Sequence, residues 1–379
     1  MKTTGDQQLV KRINRSVLLR LLRQRGGLSR AQLAQESGLT KSTVSLLVRE
    51  LLDEGWIAES TVATPQGLGR PSTPLYIDGT RRAFVGVEVA VEVLRVVGVS
   101  PTGQVLCSWE EPLADAQPQA VCQQLAPRVA QAHRQLSQQG VQVSGVGVGL
   151  PGTFDEATGI VRFAPNLGWR NVAFVPLITQ ALLQAGMPPV PIHVQNEADT
   201  AALSEYEFAD DQAQGSLIFV TCDVGVGAGI VLNDRLFTGV QGMAGEIGHT
   251  ILQIDGPPCS CGRLGCAEAF FGAKALSRLD RPTQGGVYLG VVLQNLWTTL
   301  SPSALVVGGA SCVRHPDMVQ VAQDTLAAYA ARAGMAAPEV RPARYGLWAS
   351  AVGAAALVWH HDLRPMHARA AVFADFQTD

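Results

Sequence analysis

Apolar positions in the first 55 residues recur at helical spacing. Val17, Leu18, Leu21 and Leu22 follow Asn14, which reads as a cap, and Gly26-Gly27 closes that helix. Ser29 opens SRAQLAQESG with Gln32 three residues on, a capping-box spacing, and Gly38 supplies the turn. Thr40 caps a third helix, KSTVSLLVRELLDEG, stopped by Gly55. There Val44, Leu47, Val48, Leu51 and Leu52 make a buried stripe, and Lys41, Ser42, Ser45 and Arg49 face the other way. Two short helices joined by a glycine turn, the second beginning with hydroxyl and basic residues, predict a helix-turn-helix. Trp56-Ile57 and Leu75-Tyr76-Ile77 predict the two strands of a wing around TPQGLGRPSTP. Its tip, Gly69-Arg70-Pro71, can place Arg70 in an A·T-rich minor groove, although Arg70 also suits a solvated loop.

Beyond residue 80 the pattern changes to β-branched alternation. Phe84–Val99 predicts a hairpin of buried strands, with turn residues at Pro101-Thr102-Gly103. A Gln/Ala-rich helix is expected over about 115–139, then a strand Val143–Leu150 ending at Pro151-Gly152. Residues 172–186 read as helix, Pro191–Gln195 as a strand running into Asn196-Glu197, and 198–208 as helix. Leu217–Asp223 is a strand before Gly225, Gly227 and Gly229 and a further strand. The helix Tyr288–Leu300, the strand Leu305–Gly309 and an Ala-rich helix Leu347–Trp359 complete the body. Alternating strands and helices with glycine turns at strand ends indicate an α/β body with ligand loops there.

Charge changes the picture of the head. The net charge of −3 is uninformative by itself, but residues 1–50 hold ten Lys/Arg against Asp6, Glu36 and Glu50. That is +7 for the head, leaving −10 for the remainder. A basic head on an acidic body favours an anionic polymer as partner, the other reading being a three-helix protein-interaction module. No leader-like or membrane-spanning apolar run is present. Seven cysteines, an odd number, suit a reducing cytoplasm better than a disulfide framework.

Three of those cysteines cluster in GEIGHTILQIDGPPCSCGRLGCAE, residues 245–268. His249, Cys259, Cys261 and Cys266 have the spacing H-x9-C-x-C-x4-C, which offers four ligands for a tetrahedral zinc ion and leaves no open position. Such a zinc is structural. Glycines at 256, 262 and 265 allow tight turns, and Glu246 and Glu268 flank the cluster.

Several further segments join this one in a family resemblance. They are the head with GRP, VGVEV at 85–89, LPG at 150–152, APNLGW at 164–169 and VQNEADTAALSE at 194–205. DVGVGAGIVLNDRLFTG at 223–239, AGEIGH at 244–249, the cysteine cluster, VVGG at 306–309 and AVGAA at 351–355 follow in order. Over essentially its whole length the chain resembles the transcriptional regulators of the ROK family (repressor, open reading frame, kinase). The resemblance implies a winged helix-turn-helix DNA-binding domain over 1–80, followed by a two-lobed α/β actin-like, ribonuclease-H-like body. Lobe 1 would span 81–195, with a C-terminal helix of about 347–379 packing back on it. Lobe 2, with the zinc site and sugar cleft, would span 196–346. It also implies a homodimer or homotetramer, a double-stranded DNA operator and a sugar effector that releases the protein from it. The implied sugar contacts are Asn166, Asn196, Glu197, Glu246, His249 and Glu268, with His249 serving metal and sugar through its two ring nitrogens. From the residues alone, Asn196 also suits a helix cap and Glu197 a first-turn acid.

The chain departs from the kinases of that family in three places. Where they carry a pattern like D-x-G-G-T, this chain has Glu88-Val89-Ala90-Val91-Glu92. The loop Asp223-Val224-Gly225-Val226-Gly227 keeps glycines but lacks the threonine. The base position holds Glu197 in place of aspartate, which displaces a carboxylate where misplacement of about 1 Å can cost ~100-fold. Loss of phosphoryl transfer with retention of sugar recognition is therefore expected, the alternative being a sugar kinase with an appended head. The segment from Glu268 to Tyr288 is also shorter than the family usually carries there.

Overall fold

The computed structural model describes residues 7–60, 73–208 and 215–365. The head is α1 (Gln7–Gln24), α2 (Arg30–Ser37), α3 (Lys41–Asp53) and the antiparallel pair β1 (Ile57–Glu59) and β2 (Leu75–Ile77). Both expected caps form. The Ser29 hydroxyl accepts from the Gln32 amide while the Gln32 side chain accepts from Ser29 N–H, and Thr40 accepts from the Thr43 amide. Asn14 caps nothing: helix α1 is already under way at Gln7 and Asn14 lies in its interior. The periodicity of Val17–Leu22 marks the face that packs and carries no information about where the helix begins.

Lobe 1 contains β3 (Arg82–Val89), β4 (Val93–Val99), β5 (Val105–Pro112), α4 (Pro118–Gln138) and β6 (Gln142–Leu150). A small meander follows, β7 (Thr153–Asp155), β8 (Ile160–Ala164) and β9 (Trp169–Val172), then α5 (Phe174–Gln184) and β10 (Ile192–Asn196). Next come α6 (Glu197–Glu207), β11 (Ser216–Cys222), β12 (Val226–Leu232) and β13 (Arg235–Leu236). The short helices α7 (Glu268–Phe271) and α8 (Ala273–Leu276) precede α9 (Thr283–Leu300), β14 (Ala304–Gly308), α10 (Ala310–Arg314), α11 (Pro316–Arg332), β15 (Glu339–Pro342) and α12 (Ala349–Leu363).

The two large sheets run β10-β6-β3-β4-β5 and β13-β12-β11-β14-β15. Counted within each lobe, both have the strand order 3-2-1-4-5. In both, the second strand is antiparallel to the first and the fourth is parallel to it. Both first strands are buried along nearly their whole length, as expected of strands covered by helices on both faces. The layers run α4/α5, first sheet, α12 with α6, second sheet, α9/α11.

Glycine makes the central layer possible. A Cβ at Gly86 or Gly147 would lie 2.0 or 1.7 Å from a carbonyl oxygen of α12, so that helix rests directly on the first sheet. Helix α12 thus packs back on lobe 1 while also lying along α6. The alternation pattern missed the meander β7–β9, the edge strands β5, β13 and β15, and helix α11. The strands are short or edge elements with little periodic signal, whereas α11 is a full helix whose Met318, Val319, Ala322, Leu326 and Ala330 form a buried stripe.

The head is docked on the body through a continuous apolar core. Trp56 stacks on Trp359 of α12 at 5.1 Å and packs against Phe84 of β3. The Arg82 guanidinium lies over the Trp56 ring, and Arg81 and Arg82 donate to the carbonyls of Leu52, Asp53 and Glu54 at the end of α3. No helix among the described residues is long and apolar enough to cross a membrane.

Candidate functional site

Three regions gather the chemistry. The first is the outer face of α3, where Lys41, Ser42, Ser45 and Arg49 are all exposed while Val44, Leu47, Val48 and Leu51 are buried. Much of the head's basic excess is committed elsewhere. Lys11 pairs with Glu50, Arg15 with Glu54, Arg25 with Glu36 and Arg30 with Glu59, and Arg20 and Arg23 pair with the body. Lys41 and Arg49 have no ion-pair partner among the described residues, so α3 presents two free cations beside two hydroxyls. Ser45 returns its hydroxyl to the Lys41 carbonyl, and Ser42 shares a hydrogen bond with the capping Thr40. Arg70, expected from the sequence at a wing tip, lies outside the described residues.

The second region is a cleft of about 390 Å³ between the two sheets. It is lined by the β3–β4 hairpin, the loop after β11, Gly309-Ala310, the start of α12, Asn166 and Glu197. Glu88, Glu197 and Asp223 reach it from three different elements, and Glu92, Glu110 and Glu111 line its hairpin side. Arg95 of β4 crosses from Glu88 (2.9 Å) to Glu110 (2.6 Å) and so fills the hairpin side with an ion-pair network. Burial nevertheless pushes the Glu88 carboxyl up to about 7, outweighing the pull of Arg95, with Asp223 and Glu110 adding smaller repulsions. Burial, then the neighbouring Glu88 and Asp223, raises Glu197 to about 8. Asp223 is raised too, again by burial, despite accepting the Ala310 amide. At neutral pH Glu197 is therefore mostly a carboxylic acid, able to donate as well as accept.

Asn196 is occupied by the helix. Its Oδ1 accepts from Ala198 and Asp199 amides, capping α6, and its Nδ2 donates to the Gly152 carbonyl. That ties the LPG turn to the helix and orients Glu197, the first residue of α6, into the cleft.

The third region is the loop from Gly245 to Glu268. Gly265 has φ 69° and approaches Gln253 so closely that a Cβ would lie 1.7 Å from its carbonyl oxygen. Cys259 N–H donates to the Arg263 carbonyl across the Gly262 turn, which folds the two nearest cysteines back on the third. The donor atoms of His249, Cys259, Cys261 and Cys266 lie within 4.8 Å of one another. His249 Nδ1 to Cys259 Sγ is 3.7 Å, as is Cys261 Sγ to Cys266 Sγ. A tetrahedral ion with thiolate and imidazole ligands requires edges of about 3.6–3.8 Å, so the donor set fits one metal ion. Because Nδ1 faces the cysteines, Nε2 is the nitrogen left for another partner.

Glu268 joins this loop to the second sheet. One carboxylate oxygen accepts the Val226 amide at 3.2 Å and the other accepts from the Ser260 hydroxyl at 3.1 Å. Glu246 is exposed and within electrostatic reach of His249, Arg263 and Glu268. The expected sugar contacts therefore fall in two groups, Asn166 with Glu197 on the cleft wall and Glu246, His249 and Glu268 on the cysteine loop. Sequence reading missed Arg95 and Glu110. Both lie on strands whose alternation signals only exposed and buried faces, and neither has a motif of its own.

These arrangements have counterparts among known proteins. The description "Winged helix-turn-helix DNA-binding" matches residues 12–58, and the ROK family matches residues 86–285, just over half of the chain. The xylose repressor of Bacillus subtilis (strain 168) is 27% identical over 384 residues, covering 95% of this chain and 98% of that protein. A glucokinase from Halalkalibacterium halodurans is 28% identical over 324 residues, covering 73% of this chain and 95% of the enzyme. A solved ROK family transcriptional regulator, described as a homologue of the E. coli MLC protein, superposes with a TM-score of 0.73 at 23% identity. It covers 94% of this chain and 98% of its own. With its twin 3-2-1-4-5 lobes, His-Cys loop and winged head, the chain belongs to the ROK family.

Proposed function

We propose that the protein is a sugar-responsive DNA-binding transcriptional regulator, a repressor of carbohydrate uptake or catabolism genes that a sugar releases from its operator. The observation that carries this reading is the joint presence of the free basic face of α3 and a cleft whose hairpin side is closed by Glu88, Arg95 and Glu110. DNA contacts are assigned to Lys41, Ser42, Ser45 and Arg49, with Arg70 at the wing. Hydroxyls and a lysine suit phosphates, and Arg49 suits a phosphate or guanine edge. A homodimer or homotetramer in the cytoplasm would pair two such heads on a palindromic operator.

Sugar contacts are assigned to Asn166, Asn196, Glu197, Glu246, His249 and Glu268. Amide and carboxyl groups together offer the mixed donors and acceptors that sugar hydroxyls require. For Asn196 the assignment is to orienting Glu197 through its cap. The metal is assigned as structural zinc held by His249, Cys259, Cys261 and Cys266. When bound, it would fix the His249 ring and stiffen the loop that carries Glu246 and reaches Glu268.

A kinase reading finds support in the glucokinase likeness but fails on the residues. Phosphate binding needs free backbone amides and a carboxylate available to Mg²⁺. Here Glu88 is paired with Arg95, and the Val226 amide is taken by Glu268. The reading is tested by thermal melting against D-xylose, D-glucose and N-acetylglucosamine. A sugar at 100 times its Kd adds about 2.7 kcal/mol of stability. No shift with any sugar, or sugar-dependent ATP hydrolysis, would overturn it.

A further inference from the structure

Two buried helices run side by side from the cleft to the head. Helix α6 begins at Glu197 in the cleft and ends at Glu207. Helix α12 begins at Ala349 and Ser350, also in the cleft, and ends beside the head, where Trp359 stacks on Trp56. They are parallel. The Thr200 and Ser350 hydroxyls meet at 3.1 Å at the cleft end, and Glu207 meets His360 at 2.6 Å at the other. At about 1.5 Å per residue the pair spans roughly 16–22 Å.

A Cβ at Gly353 would lie 1.6 Å from the Thr200 carbonyl oxygen, so backbones touch where side chains would otherwise interlock. Polar contacts tie the pair together at both ends.

The head end is an ion cluster shared by three parts of the chain. Glu207, 2% exposed, receives His360 of α12, Arg364 just past the end of α12 (2.7 Å) and Arg23 of α1 (3.1 Å). Arg23 also donates to the Tyr206 carbonyl at 2.9 Å. Asp234, on the β12–β13 turn, receives Arg20 of α1 at 3.0 Å, Arg364 at 2.5 Å and the Tyr206 hydroxyl at 2.7 Å. Breaking one member of such a buried network leaves the others uncompensated, so the cluster holds one arrangement firmly. A shift of α6 against α12 must change it, and α1 is one of its holders.

We propose that the α6–α12 pair transmits the state of the cleft to the DNA-binding head, with Glu207 and Arg23 as the output contact. The proposal rests on the sugar-responsive reading above, since it requires a cleft ligand that prefers one helix register. It places the response in the position of α1 on the body of a single subunit.

The test is hydrogen–deuterium exchange of the α1 amides in the full-length, metal-loaded protein, with and without whichever of the three sugars raises its Tm. The sugar changes α1 exchange in the wild type by about tenfold. Glu207→Gln still shows the sugar-dependent Tm rise but loses the α1 response. Arg23→Gln, which alters neither buried helix, does the same and stands in should Glu207→Gln fail to fold. A sugar that raises Tm yet leaves α1 exchange unchanged in the wild type overturns this proposal alone. Retention of the α1 response in Arg23→Gln also overturns it. Absence of any Tm rise in the wild type overturns the sugar-responsive reading, and the proposal with it.

Discussion

Strand β3 of the first sheet and β11 of the second hold the same place in identical strand orders, and each delivers a carboxylate to the cleft, Glu88 and Asp223. The turns that follow differ. After β3 the chain runs Val89-Ala90-Val91-Glu92, and Arg95 on the return strand ties Glu88 to Glu110. After β11 it keeps glycines at 225 and 227, but the Val226 amide donates to Glu268, which in turn holds the cysteine loop through Ser260. One turn is closed by an ion-pair network and the other is tethered to the His-Cys loop. In both, groups that could have met an anion are satisfied by the chain's own side chains. An α/β fold can thus keep its cleft and lose one half of the cleft's chemistry through a few residues at strand ends.

This contrast can be broken from either side. On the second-lobe side, Cys261→Ser removes a ligand from the cluster and should cost about 5 kcal/mol, seen as roughly a 10 °C fall in Tm. Bound metal and the sugar-dependent Tm rise should be lost together. A variant that lacks metal by elemental analysis yet still responds to sugar would separate the loop from the cleft. On the first-lobe side, Arg95→Met strands Glu88 and should lower stability to denaturant by about 3 kcal/mol. Adding Glu88→Leu should recover most of that loss, and no recovery would mean that Arg95 acts through packing alone.

Glu197→Ala should abolish the sugar-dependent stabilisation of about 2.7 kcal/mol at saturating sugar and spare DNA binding. The pH dependence of Glu197 has a definite sign. Its folded-state value, about 8, lies above that of an unfolded glutamate, so the folded state holds a proton that the unfolded chain has released. That contribution is present below about pH 4.5 and is lost as pH rises through 8. Glu197→Gln should therefore gain stability relative to wild type by about 4 kcal/mol between pH 5 and pH 9 in paired urea melts. A constant difference would place Glu197 in water. The smallest effect is expected in the head. Arg49→Ala and Lys41→Ala should each weaken DNA binding by about 1–2 kcal/mol and flatten its salt dependence, with Tm unchanged.

Much of this was legible in the sequence for identifiable reasons. The caps at Ser29 and Thr40, the α3 stripe and the buried first strands come from local chemistry that packing leaves intact. The cysteine cluster closes because its spacing and glycines are local as well. The start of α1 was misplaced to Asn14 because a good capping residue inside a helix looks the same as one at its end. The basic head was read as a charge field for DNA, yet several of its arginines are spent on Glu54, Glu207 and Asp234. Those partners lie up to 214 residues away, beyond any local pattern. The Arg95 network was hidden for the same reason, since cross-strand pairing depends on a register that the hairpin sets only once folded.

The central claim is that sugar in this cleft controls the head without phosphoryl transfer. The most direct measurement is fluorescence anisotropy of DNA from upstream of the coding gene, bound by the metal-loaded protein and titrated with the sugar that raises its Tm, in nucleotide-free buffer. The account predicts that sugar alone weakens DNA affinity by at least about tenfold. DNA affinity indifferent to that sugar, or release that occurs only when MgATP is added, would contradict it.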